Sequence, residues 1–186
     1  NAYIDRGDYV VIGGRPSAGK TALTLQIMMH MARDYRVAYF SLETSPAKLF
    51  DRLVACDVGV NLTDIKLGKI RDDDWVKIVE RSDIFRALRF TVIQAAGWTV
   101  DQIRAKALQL QAEVIFVDYI GLIQSSGRDL YERATRTSID LHTMAQSTGV
   151  KEVVCLNTGK TYKSAAEAAR AFVTWPGVIS KICLGD

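Results

Sequence analysis

Gly14-Arg15-Pro16-Ser17-Ala18-Gly19-Lys20-Thr21 spells G-x-x-x-x-G-K-[ST], and the fold reading turns on what flanks it. Residues 9–12 are a short, mostly β-branched run that leads into the glycines. Residues 21–33 carry Leu23, Ile27, Met28 and Met31 at helical spacing. A glycine loop set between a strand and a helix is the context that phosphate binding requires. Backbone N–H groups and the positive helix end cradle an anion, and glycine permits the close approach. Lys20 is expected on the β- and γ-phosphates of a bound nucleotide, and Thr21 offers a hydroxyl, a hard oxygen ligand, to the accompanying Mg²⁺. The site set is therefore Gly14, Arg15, Pro16, Ser17, Ala18, Gly19, Lys20 and Thr21, with ATP and Mg²⁺ as cofactors. The plainer alternative, an accidental glycine loop, leaves the flanking strand and helix unexplained.

Outward from the loop, strand and helix signals alternate. Residues 36–42 (RVAYFSL) form an apolar strand, and Ser45-Pro46 caps and opens a helix running to about Cys56. A connector with a short helix spans residues 61–68. Residues 71–81 (RDDDWVKIVER) form a helix with acids at its start and arginine at its end, and Trp75, Ile78 and Val79 are expected on its apolar face. A third strand covers residues 88–93, a helix residues 100–111, and residues 114–118 (VIFVD) form a fourth strand apolar on both sides. A helix spans about 131–147, and Gly149 marks its end. Runs apolar on both faces alternating with helices predict an α/β fold, a mostly parallel sheet covered on both faces.

Asp118 closes the fourth strand, where open α/β sheets bind ligands, and suits a Walker B role toward Mg²⁺; a turn or cap aspartate is the plainer alternative. Glu43, just past the second strand, points toward the same crevice. A carboxylate there can orient or deprotonate the water that attacks a γ-phosphate, or be no more than a solvated charge before a helix.

Composition sets wide bounds. Hydrophobic residues at 48% and charged residues at 24% fit one globular core and argue against a disordered or membrane class. The longest apolar stretch, residues 114–123, contains Asp118, so neither membrane spanning nor export is expected. The net charge of +3 is mild, and any nucleic-acid contact must come from a local patch. Cys56, Cys155 and Cys183 form no C-x-x-C pair and read as buried or half-buried thiols of a cytoplasmic protein. A start without Met suggests a trimmed product or a piece of something longer.

Four stretches in order, residues 15–23 (RPSAGKTAL), 40–43 (FSLE), 51–53 (DRL) and 117–122 (VDYIGL), resemble the motor domain of bacterial and phage DnaB-type replicative helicases. Residues 59–75, 98–106 and 131–138 (YERATRTS) are similar to that family too, so the resemblance covers residues 1–150. It implies a RecA-like fold, ATP hydrolysis driving movement along single-stranded DNA, and a homo-oligomeric, hexameric ring with nucleotide between subunits. By resemblance, Lys20 is the P-loop lysine, Thr21 the Mg²⁺ hydroxyl, Glu43 the catalytic glutamate and Asp118 the Walker B aspartate.

After Val150 the expected apolar strand with its polar sensor is not recognisable. Residues 151–186 read instead as a separate small module. Residues 153–156 and 161–162 flank an Asn157-Thr158-Gly159-Lys160 turn as a hairpin, and two short helices in a helix-turn-helix arrangement follow. Residues 156–185 resemble a nuclease-associated modular DNA-binding repeat, with Lys160, Lys163, Arg170 and Lys181 available to duplex DNA phosphates. Two other functions fit the loop: an adaptor that binds ATP without turnover, and a recombination-type RecA-like ATPase. Arg128, Arg133 and Arg136 are read as solvated charges, with DNA or a neighbouring subunit's phosphates as the alternative. His30 and His142 show no pattern for metal or acid-base work, and Trp75, Trp98 and Trp175 are read as packing residues rather than base-stacking platforms.

Overall fold

A computed structural model describes residues 4–15, 17–127 and 130–157 of the chain, the side chains of 130, 131 and 152–157 excepted. Five strands, β1 (Tyr9–Gly14), β2 (Val37–Ser41), β3 (Phe90–Gln94), β4 (Val114–Asp118) and β5 (Lys151–Asn157), form one sheet in the order β1-β5-β4-β2-β3. All pairings are parallel. The helices are α1 (Lys20–Met31), α2 (Pro46–Val58), α3 (Leu62–Leu67), α4 (Asp72–Ala87), α5 (Val100–Gln109) and α6 (Leu130–Thr148), with a 3-10 turn at Ile120–Leu122. The expected α/β architecture is the one observed. No helix among the described residues is long and apolar enough to cross a membrane.

Side chains alternate across a strand, and here both sides are buried. Val37 and Tyr39 on β2 and Val114 and Phe116 on β4 pack with Leu25 and Met28 of α1 and Leu49 and Leu53 of α2. Ala38 and Phe40, with Ile115 and Val117, pack on the other side against Ile103 and Ala107 of α5 and Leu141 and Met144 of α6. Complete burial of a side chain such as Phe116, 1% exposed, contributes about 1.5–3 kcal/mol. Register then sets the site: Ser41 pairs with Asp118 and Gly14 with Asn157, so the strands end along one carboxyl edge.

Helix ends follow local chemistry. Thr99 accepts from the Gln102 N–H at 3.4 Å and the Gln102 side chain accepts from the Thr99 N–H at 2.9 Å, a capping box opening α5. Pro46 occupies the first turn of α2 as expected, although Ser45 makes no side-chain cap bond. Gly149 follows α6 in the left-handed region, φ 63°, which suits a residue without Cβ.

Four readings are corrected. Of the apolar face expected on α4 only Ile78 is half-buried, while Trp75 is 51% and Val79 63% exposed. The stripe that docks is Asp74, Ile78, Arg81 and Phe85, at spacings of four, three and four. Asp74 is buried under Arg71 and Lys77, both at 2.9 Å, and Arg81 grips Asp57 of α2 with two hydrogen bonds of 2.7 Å. Paired charges thus take positions that a hydrophobic pattern assigns to solvent. Cys56 is exposed rather than buried, because it lies on the cleft side of α2. Trp75 is no packing residue, whereas Trp98 packs against Phe40, ring centroids 6.1 Å apart. The largest correction concerns residues 151–157. They are no hairpin arm but β5, lying parallel between β1 and β4. A strand apolar enough to be central is sequestered by the sheet. The rest of the expected hairpin and both short helices lie outside the described residues.

Candidate nucleotide site

The loop between β1 and α1 closes with the Ala18 N–H donating to the Arg15 carbonyl at 3.2 Å. Ser17, φ 64°, and Gly19, φ 85°, both adopt the left-handed region. Gly19 is the N-cap of α1, and no side chain caps that end. The amides of the first turn therefore have no side-chain acceptor, as an anion-binding helix end requires. Lys20 is only 7% exposed. Its ammonium donates to the carbonyls of Gly14 at 2.9 Å and Arg15 at 2.5 Å. An ammonium has three protons, so one remains for a further acceptor.

Thr21 and Asp118 are 97 positions apart in sequence, yet the Thr21 hydroxyl donates to Asp118 Oδ2 at 2.7 Å. Asp118 is 8% exposed. Because Thr21 gives its proton to the carboxylate, the hydroxyl lone pairs remain for a cation. Ser17, Gly19, Lys20, Thr21, Glu43 and Asp118 all line one cleft of about 670 Å³. Gly14 and Arg15 contribute through the carbonyls that hold Lys20, Ala18 through the turn, and Pro16 lies outside the described residues.

Glu43 stands exposed in the turn after β2. Two residues not singled out in the sequence fix that turn. Ser41 Oγ donates to the Thr44 carbonyl at 2.7 Å and accepts from the Thr44 N–H at 3.2 Å, clasping Glu43 between them. The Leu42 N–H donates to the Asp118 carbonyl at 2.8 Å, tying the Glu43 turn to the end of β4. Arg52 of α2 also lines the cleft; it sits in the DRL stretch, which gave no hint of its direction. Behind the site lies Tyr39, fully buried, whose hydroxyl donates to Asp118 Oδ2 at 2.9 Å. A hydroxyl inside the otherwise apolar run VAYF was the available signal. Arg133 and Arg136 are exposed on α6 and do not line this cleft, while Arg128 lies outside the described residues.

An uncapped helix end, a buried ammonium and a hydroxyl–carboxylate pair suit a polyphosphate with a hard divalent cation. Lys20 and the first turn of α1 would hold the phosphates, and Thr21 and Asp118 the metal.

The comparisons agree with this geometry. The replicative DNA helicase DnaC of Bacillus subtilis is 32% identical over 143 residues, covering 74% of this chain and 32% of that protein. The replicative DNA helicase DnaB of Treponema pallidum is 29% identical over 86% of the chain and 38% of its own length. Among solved structures, one described as an ATPase domain superposes with a TM-score of 0.76 at 26% identity, covering 82% of this chain and 57% of that one. A DnaB-like replicative helicase studied with its interactions with primase gives the same TM-score at 24% identity, covering 82% and 39%. The chain thus spans about a third of the curated relatives' length. A sequence model of the DnaB-like helicase C terminal domain matches residues 3–158 and so takes in β5. The nuclease-associated repeat suggested for residues 156–185 finds no support in these comparisons. With a parallel sheet, a phosphate loop after β1 and an aspartate at the end of β4 all inside the matched span, the chain belongs to the DnaB-like helicase C-terminal domain family.

Proposed function

We propose that this chain is the ATP-binding and ATP-hydrolysing motor domain of a replicative DNA helicase that moves along single-stranded DNA and works within a homo-oligomeric ring. The observation that carries the reading is the Thr21–Asp118 hydrogen bond of 2.7 Å, which joins the phosphate loop to the end of β4 in a cleft shared with Lys20 and Glu43. Lys20 and the loop amides position the phosphates, Thr21 and Asp118 hold the Mg²⁺, and Glu43 orients the attacking water. Bound Mg²⁺ supplies charge neutralisation at the phosphates. Positioning and electrostatics dominate phosphoryl transfer; α1 and the end of β4 carry Lys20, Thr21 and Asp118, and the turn held by Ser41 after β2 carries Glu43. The names of the relatives support the helicase reading, and the ring and the DNA track are proposed here on the resemblance to that family. Residues 158–186 are assigned, on their lysines and arginine alone, to an appendage that contacts duplex DNA.

The test is steady-state MgATP hydrolysis by the full chain with and without single-stranded DNA, using Lys20→Ala as the blank. Turnover stimulated by DNA and lost in the variant is expected. ATP binding without turnover would favour an adaptor that uses nucleotide as a structural ligand.

A further inference from the structure

Asp118 receives two hydroxyl protons on a single oxygen. Thr21 donates to Oδ2 at 2.7 Å from the cleft side and Tyr39 at 2.9 Å from the interior. Tyr39 belongs to the same sheet face as Asp118, because Tyr39 pairs with Phe116 and Ser41 with Asp118 in register. Its ring lies 5.8 Å from that of Phe116 at an interplanar angle of 15°, and both residues are essentially inaccessible to solvent. The tyrosine oxygen is in turn 3.0 Å from Thr24 Oγ1. A hydroxyl has one proton, and Tyr39 gives its own to Asp118. With the Tyr39 proton on Asp118, the Thr24–Tyr39 contact takes its proton from Thr24. Thr24 also reaches the Thr21 carbonyl at 3.1 Å, so its proton is shared between the two acceptors. The network runs from α1 through β2 to the end of β4 and back to the residue that follows Lys20.

We infer that Tyr39, held by Thr24, is a positioning residue for the metal site, fixing the Asp118 carboxylate and through it the Thr21 hydroxyl in the arrangement that accepts Mg²⁺. This rests on the assignment of Thr21 and Asp118 to the metal. Groups that orient a metal-binding carboxylate commonly change metal affinity when removed, by roughly 10- to 100-fold. The relay is dry and over-determined: Tyr39 and Thr24 are both 0% exposed. The ring contacts of Tyr39 survive loss of the hydroxyl, so Tyr39→Phe isolates the hydrogen bond to Asp118 from the packing.

The experiment is binding of a fluorescent, non-hydrolysable ATP analogue to the full chain, in MgCl₂ and in EDTA, for the wild type, Tyr39→Phe, Thr24→Val and the double variant. The wild type is expected to bind more tightly with Mg²⁺. In Tyr39→Phe that Mg²⁺-dependent gain should fall about 10-fold while Kd in EDTA stays unchanged. Thr24→Val should shift the gain in the same direction by less, and should add nothing to Tyr39→Phe, because the two hydroxyls act in series. An undiminished Mg²⁺ gain in folded Tyr39→Phe overturns the inference. If Tyr39→Phe does not fold, Thr24→Val decides, with an unchanged gain counting against it. A wild type whose binding ignores Mg²⁺ removes the metal assignment itself, and this inference with it, whereas a Mg²⁺ gain indifferent to Tyr39 removes this inference alone.

Discussion

At the residue scale, the site separates binding from turnover. Lys20 is buried and already bonded to loop carbonyls, while Glu43 is exposed and has its turn, not its side chain, fixed by Ser41 and Thr44. Glu43→Gln is therefore expected to leave nucleotide affinity within about twofold and to lower kcat by roughly 10²–10⁴ if the carboxylate handles the attacking water. Titration calorimetry beside single-turnover hydrolysis checks this, and a loss confined to affinity would contradict it. Ser41→Ala removes both clasp bonds and is expected to lower kcat in the same direction by less. Lys20, Thr21 and Asp118 were legible in the sequence because their motif and strand-end positions are local. Tyr39, Thr24 and Ser41 were not, since a hydroxyl's partner depends on register and helix placement, which no spacing in the chain encodes.

Elements add their own chemistry. The Asp74 carboxyl in the first turn of α4 is held below the usual carboxylate range by hydrogen bonds from Lys77 and Arg71, which outweigh burial. A depressed folded-state pKa means stabilisation that is fully present above the unfolded value and is lost as pH falls through the folded one. Asp74→Asn should therefore lower the thermal midpoint at neutral pH, and the gap to the wild type should close below about pH 4; melts across pH measure it, and a gap constant down to pH 2 would contradict the account. Glu113 acts in the same direction through the Arg36 N–H, 3.0 Å away, its largest cause. At α5, Thr99→Ala breaks the capping box and should cost about 1 kcal/mol, read from urea midpoints. Helix existence was legible at α4 from the acids at its start and the arginine at its end. Which face of α4 packs was not, because Asp74 and Arg81 enter the interface as satisfied ion pairs.

For the whole molecule, β5 decides the architecture. It lies between β1, which delivers the phosphate loop, and β4, which delivers Asp118. A chain ending at residue 150 lacks that strand and leaves two ladders open. It is expected to give no cooperative thermal transition, whereas a chain ending at residue 158 keeps one. Circular dichroism melts of the two distinguish them, and a cooperative melt of the shorter chain would mean that β1 and β4 can close the sheet without β5. The order β1-β5-β4-β2-β3 also separates the loop strand from the aspartate strand by one position, the gap that the first turn of α1 spans when Thr21 reaches Asp118.

The chain by itself determined the alternation of apolar strands and helices, the phosphate loop, the aspartate closing β4 and the glutamate after β2, because each is written in contiguous residues whose local preferences agree. Only the tertiary structure decided that residues 151–157 are a central strand rather than a hairpin arm, since the short apolar run at 153–156 fits either and pairing on both sides selects one. Only the fold could set Tyr39 and Thr24 behind Asp118. Hydrogen bonds between residues 15 to 97 positions apart arise when packing brings α1, β2 and β4 to one edge, and the sequence carries that distance only through the fold.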